Sequence, residues 1–163
     1  MEYISTGLCQ LDAIEYHDRT EIQKHLGGIP MYGFSGMRPW TDSIAFAARV
    51  GKDFFDLYEP WFSDNKVDPF ALKFVSEKTP YCVMRYDKDM NFDHGYFFTN
   101  DWKDADFWRP RGEEMAALID EGTKGFYVCS PPPPYDPGEF WATLKELKKK
   151  YSFNIMWEPN NAH

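Results

Sequence analysis

The segment from Gly125 to Trp157 constrains the fold most. Gly125-Phe126-Tyr127-Val128-Cys129 is a short apolar run rich in strand formers. A proline-rich turn, Pro131 to Pro134, follows it. Asp136, Pro137 and Glu139 then supply an N-cap, a first-turn proline and a capping-box acid. Phe140, Leu144, Leu147 and Tyr151 recur at helical spacing, and Lys148-Lys149-Lys150 suits the negative end of the helix dipole. Phe153-Asn154-Ile155-Met156-Trp157 is a second strand-like run. Two strands joined by a helix pair in parallel, because the crossover returns the chain to the same end of the sheet. The chain is therefore expected to be α/β, with helices flanking a Rossmann-type sheet.

The remaining segments fit that class. Residues 3 to 9 read as a first strand, and Ala13-Ile14-Glu15-Tyr16 as a half-exposed second one. Residues 34 to 40 have room for only a short helix before Pro39. Residues 43 to 50 read as a strand ending in Gly51-Lys52-Asp53. Phe54, Phe55, Tyr58, Trp61 and Phe62 fall on a helix that Pro60 is expected to break or kink. With no basic residues interleaved, these rings suit a core better than a platform for stacked bases. Residues 67 to 75 read as a strand. Tyr81 to Tyr86 and Tyr96 to Thr99 read as a hairpin, so residues 4 to 16 and 81 to 99 are expected to form a small antiparallel sheet. Residues 111 to 121 look helical, with Met115, Leu118 and Ile119 on one face.

A chain of 163 residues can bury a sizeable core without staples. Its net charge of −8 argues against nucleic acid or an anionic membrane surface as a partner. Cys9, Cys82 and Cys129 are odd in number and include no paired spacing, so buried thiols in a reducing cytoplasm are expected. The first residues show no signal peptide, and no segment reads as a membrane span. His17, His25, His94 and His163 lack ligand spacing, and no metal site is expected from them.

Four of the eleven glycines, Gly27, Gly28, Gly33 and Gly36, fall within ten residues. Paired glycines permit positive φ and the close approach of a ligand or another backbone. Read alone, the pair makes a turn. In an α/β chain, though, such a strand-to-helix corner is where small molecules commonly sit. Asp12, just after the first strand, is placed to accept hydrogen bonds from a ligand's hydroxyls, or to serve as a turn carboxylate.

Gly7 with Asp12, the Gly27-Gly28 pair, Gly51-Lys52-Asp53 and Glu158-Pro159-Asn160 occur in an order that resembles the amino-terminal half of PfkB, or ribokinase-like, carbohydrate kinases. The resemblance spans nearly the whole chain as one truncated ribokinase-like unit, residues 1–163. It implies that Asp12 binds substrate hydroxyls and that lid strands around 10–17 and 81–99 cover the sugar. Asn is implied soon after the glycine pair, where this chain has Tyr32. In the Gly-x-Asp-x-x-Gly pattern, Asp56 replaces the last glycine; in the Asp-x-Asn pattern, Glu158 replaces the aspartate.

By this resemblance Asp12, Gly27, Gly28, Tyr32 and Asn160 are the expected substrate-binding residues, with a sugar or nucleoside as ligand. No catalytic residue is expected in this chain. The family's carboxyl-terminal Gly-Ala-Gly-Asp segment, which forms the anion hole and supplies the base, has no counterpart in the sequence. ATP and Mg²⁺ are implied only for the full-length parent, and this half alone is expected to be inactive. The alternative is a non-catalytic α/β binding or dimerisation module. Pairing of two copies is expected through the lid strands or through an exposed sheet edge.

Overall fold

The computed structural model describes residues 1–18, 22–98, 107–130 and 139–159. Five strands form the main sheet: β1 (Tyr3–Gly7), β4 (Ile44–Gly51), β5 (Leu72–Ser76), β8 (Gly125–Ser130) and β9 (Asn154–Pro159). Their order is β5-β4-β1-β8-β9, and every neighbouring pair is parallel. The chain moves outward from β1 to β5 on one side, then returns to build β8 and β9 on the other. The order thus reverses at β1, and the carboxyl ends of β1 and β8 flank the crevice where ligands of open α/β sheets bind.

The inner strands of this sheet are buried on both faces, as parallel sheets require. β4 shows it residue by residue. Ile44, Phe46, Ala48 and Val50 pack on one face with Met31 and Phe34 of α1 (Ile29–Met37) and with Phe54 and Phe62 of α2 (Lys52–Asp64). Ala45 and Ala47 face the other way, into a core with Met115 of α3 (Gly112–Ala116) and Phe140 and Leu144 of α4 (Phe140–Lys150). Arg49 continues that second face. Its guanidinium bonds the Phe107 carbonyl at 2.8 Å and Glu114 at 2.6 Å, so its half-buried charge is matched.

A second, four-stranded sheet lies apart from the first in the order β3-β2-β6-β7. It contains β2 (Gln10–Tyr16), β3 (Gln23–Gly27), β6 (Tyr81–Tyr86) and β7 (Phe92–Phe98). The β6–β7 hairpin is present as expected, but the sheet is mixed. β2 pairs with β6 in parallel, while β1 belongs to the main sheet instead. β3 was not apparent in the sequence. It is short, polar and at an edge, so it carries no apolar alternation to read.

Several boundaries differ from expectation for local reasons. α1 starts at Ile29, directly after the glycine pair, because Pro30 fits the first helical turn. α2 runs through Pro60 to Asp64 without breaking. The strand expected from residue 67 begins only at Leu72. Pro69 to Ala71 form a 3₁₀ turn, capped where the Phe70 amide donates to Asp68 at 2.9 Å. The helix expected over 111–121 ends at Ala116. Its continuation is a turn in which the Gly122 amide donates to the Asp120 carboxylate at 2.8 Å, yet Met115 and Ile119 stay buried. The expected cap residues Asp136 and Pro137 lie outside the described residues, and Glu139 precedes α4 in a left-handed conformation. Cys9, Cys82 and Cys129 are free and buried, as expected. Among the described residues, no helix is long and apolar enough to cross a membrane.

Phe54 is fully buried, and its ring packs against Phe46, Tyr58 and Phe62. Phe54→Ala is expected to cost about 3–5 kcal/mol in urea unfolding, whereas Trp40→Ala, at an 88% exposed ring, should change it by under about 0.5 kcal/mol.

Candidate functional site

The site is built where β2 leaves the end of β1. Leu11 and Ala13 of β2 are buried, Leu11 in the core under α1, and Asp12 between them points to the opposite face of the strand. Its partners in register are His25 on β3 and Cys82 on β6. Asp12 is nevertheless only 4% exposed. A buried carboxylate needs donors, because leaving its oxygens bare costs several kcal/mol.

Two donors come from the chain itself. The Tyr32 hydroxyl of α1 donates to Asp12 Oδ2 at 3.0 Å. The Gln10 side-chain amide, two residues back on the same strand face, reaches Oδ1 at 3.4 Å. No ion pair joins Asp12 among the described residues. An ionised carboxylate accepts from about four directions, so the described residues use about half of its capacity.

The glycine pair makes room for this carboxylate. Gly27 lies opposite Gln10 at the end of β3, and a Cβ there would sit 2.2 Å from Asp12 Cγ. No side chain could occupy that position without moving Asp12. Gly28 has φ of 86°, and a Cβ on it would lie 2.9 Å from the Leu8 carbonyl oxygen and 3.0 Å from the Cα of Cys9. It turns the chain from lid strand to α1 against the loop that feeds β2. The expected plain turn is therefore also the floor beneath Asp12.

Asp12, Gly27, Gly28 and Tyr32 come together; Asn160 lies outside the described residues. Tyr32 is 62% exposed, yet its hydroxyl is engaged at Asp12. Its pKa is raised, first by desolvation and then by the Asp12 charge and hydrogen bond.

Gly51 and Asp53 serve the lid. The Gly51 amide donates to the buried Thr79 hydroxyl at 3.0 Å, and Asp53 accepts from the Thr79 amide and hydroxyl, each at 2.8 Å. Pro80 follows, and its carbonyl accepts from the Leu11 amide at 2.9 Å. The β4–α2 corner thereby sets the position of β6 beside β2. Asp56 is exposed on α2.

Glu158 marks a second polar point at the carboxyl edge of the sheet. It accepts from the Tyr127 hydroxyl at 2.5 Å, beneath α1, where Gly33 lies against the Tyr127 ring. Residue-level reading missed Gln10, Thr79 and Tyr127 as members of these networks. Only Gln10 left a signal, its two-residue spacing from Asp12. Tyr58 was read as core packing, but its hydroxyl is buried without a hydrogen-bond partner among the described residues. Burial, with the Cys9 and Asp12 charges adding to it, pushes this phenol up to about 12. No three metal-ligating side chains gather among the described residues.

No protein-family profile and no curated protein sequence matches the chain. Solved structures do match. A fructokinase from Vibrio cholerae O395, in apo form, superposes with a TM-score of 0.70 at 20% identity, over 98% of this chain and 54% of that one. A ribokinase from Giardia lamblia gives 0.72 at 14% identity, over 99% and 51%. A Burkholderia thailandensis nucleoside kinase in complex with inosine gives 0.68 at 10% identity, over 98% and 51%. The fold is thus ribokinase-like α/β with a small lid sheet, and the chain spans about half the length of the sugar and nucleoside kinases it matches.

Gly27→Ala is expected to lower stability by about 1–3 kcal/mol in urea unfolding, because the new methyl overlaps Asp12. The buried thiols predict a pH dependence. Burial raises Cys9 from its ordinary 9.0, with the Asp12 charge adding to the shift, and burial pushes Cys129 up to about 12, with Glu158 adding to it. Unfolded thiols release protons first, so this stability is full below pH 9.0 and falls as pH rises toward about 12. The urea midpoint should therefore drop between about pH 8 and about pH 10.5.

Proposed function

We propose that this chain is the substrate-binding half of a PfkB-type sugar or nucleoside kinase. The observation that carries this reading is the Asp12 carboxylate: buried, fed by a phenolic hydroxyl and an amide, and floored by a glycine with no space for a side chain. Such a carboxylate recognises a neighbouring pair of hydroxyls, the group that sugars and ribonucleosides share. The ribokinase-like fold, found also in the fructokinase, ribokinase and nucleoside kinase structures, supports the same ligand class.

In the full-length protein the reaction would be transfer of the ATP γ-phosphoryl group to a substrate hydroxyl, with Mg²⁺ neutralising the developing charge. We read ATP and Mg²⁺ as ligands of a full-length parent, and residues 1–163 as one partial domain that works in the cytoplasm. Asn160 would add a polar contact at the end of β9.

Calorimetry with ribose, fructose and inosine tests the reading, with ATP turnover measured in parallel. At least one of these ligands should bind without turnover. Asp12→Asn should weaken that binding about tenfold or more, the scale of a charge-assisted hydrogen bond. Tyr32→Phe should tighten it severalfold, because it removes the internal donor that competes for Oδ2. Binding unaffected by Asp12→Asn, or turnover by this chain alone, would contradict the proposal.

A further inference from the structure

The two faces of the lid sheet are patterned differently along their length. On one face Leu11, Ala13 and Val83 are buried, and the next row outward is the Glu15–Arg85 ion pair at 2.6 Å. On the other, Asp12 shares a row with His25 and Cys82, Ile14 is in register with Met84, and Tyr16 with Tyr86. A sheet that buries one face commonly turns polar residues outward on the other. This face is polar only around Gln10, Asp12 and His25. Beyond them come Ile14, Met84, Tyr16 and Tyr86, each half-buried.

The rings at the far end are held in place. Tyr16 and Tyr86 stack at 6.1 Å, and Phe92 packs edge-on to Tyr86 at 5.9 Å. The Tyr32 phenol, raised first by burial and then by Asp12, is raised also by Tyr86, so this end of the strip turns toward the same corner. Strand spacing puts Ile14 and Met84 about 7 Å from Asp12 and the tyrosine pair about 13 Å from it.

We infer that the ligand of this site is a nucleoside rather than a free sugar, with its ribose hydroxyls on Asp12 and its base laid on Ile14 and Met84, the outer edge of the base toward Tyr86. The inference rests on the reading of Asp12 as a hydroxyl-binding carboxylate and narrows it. A free sugar held at Asp12 would set its remaining hydroxyls against Ile14 and Met84, where they find no partner. A base is apolar on its faces and covers both side chains. Its polar edge then meets phenol groups that can donate and accept. The polarisable Met84 thioether suits an aromatic face. Among the described residues, the nearby cations Lys24 and Arg85 lie on the opposite face, over Tyr81 and on Glu15. The strip therefore fits an uncharged nucleoside and not its phosphate.

Calorimetry of the chain with inosine and with ribose tests this. Inosine should bind about tenfold or more tighter, the scale of one stacked base. Met84→Gln and Ile14→Thr should each weaken inosine about three- to tenfold and leave ribose within about twofold. A carbon-13 label on the methionine methyls gives a readout in the unsubstituted chain. The Met84 resonance should shift with inosine, under the ring current of the base, and stay in place with ribose. Ribose bound as tightly as inosine, substitutions that weaken both ligands alike, or a Met84 methyl that inosine does not move would overturn the inference. Asp12→Asn separates the two proposals. Ribose and inosine bound equally, and weakened equally by Asp12→Asn, would overturn only the nucleoside. Inosine held through Met84 but indifferent to Asp12→Asn would overturn the hydroxyl-binding reading beneath it.

Discussion

The hydrogen bond from Tyr32 to Asp12 joins the two sheets of this molecule. Tyr32 belongs to a helix of the main sheet, and Asp12 to a strand of the lid. The bond closes the corner between them, and the two glycines let the backbone pass beneath it. A buried carboxylate in this position is costly unless donors reach it. Among the described residues two donors, Tyr32 and Gln10, reach it, so the carboxylate is partly satisfied from within the chain. On the proposed function, the Tyr32 hydroxyl holds the position that a substrate hydroxyl would compete for.

The lid owes its position to a different network. Thr79, held by the Gly51 amide and the Asp53 carboxylate, fixes the point where the chain leaves the main sheet for β6. β6 then pairs in parallel with β2, which sets Cys82 beside Asp12. Gly51 and Asp53, noticed first as a motif, act here through geometry. They place the sheet that covers Asp12 rather than touching its carboxylate.

Much of this was legible in the residues. The βαβ unit from Gly125 to Pro159 announced the parallel sheet, and it formed as β8, α4 and β9. Asp12 and the glycine pair were legible as a corner worth noting because glycine and an acid beside an apolar strand are locally unusual, and the structure brings them together. β3 was not legible, since an exposed polar edge strand has no apolar period, and its pairing comes from β2 across the turn. The short α3 was overread, because its apolar spacing continues into a turn that Asp120 and Thr123 shape through their side chains. The bond between Tyr32 and Asp12 was beyond sequence reading, as the two residues are 20 positions apart on different layers. Tyr32 had looked like a departure from the family pattern; the fold turns it into a partner of the acid.

The central claim is that Asp12 exchanges its internal phenol donor for a ligand's hydroxyls. Carbon-13 NMR of the tyrosine Cζ atoms during titration with ribose and with inosine tests it most directly. The account predicts that the Tyr32 resonance moves in step with saturation while that of Tyr127, bonded to Glu158, stays fixed. Saturation by either ligand with Tyr32 unmoved would contradict it.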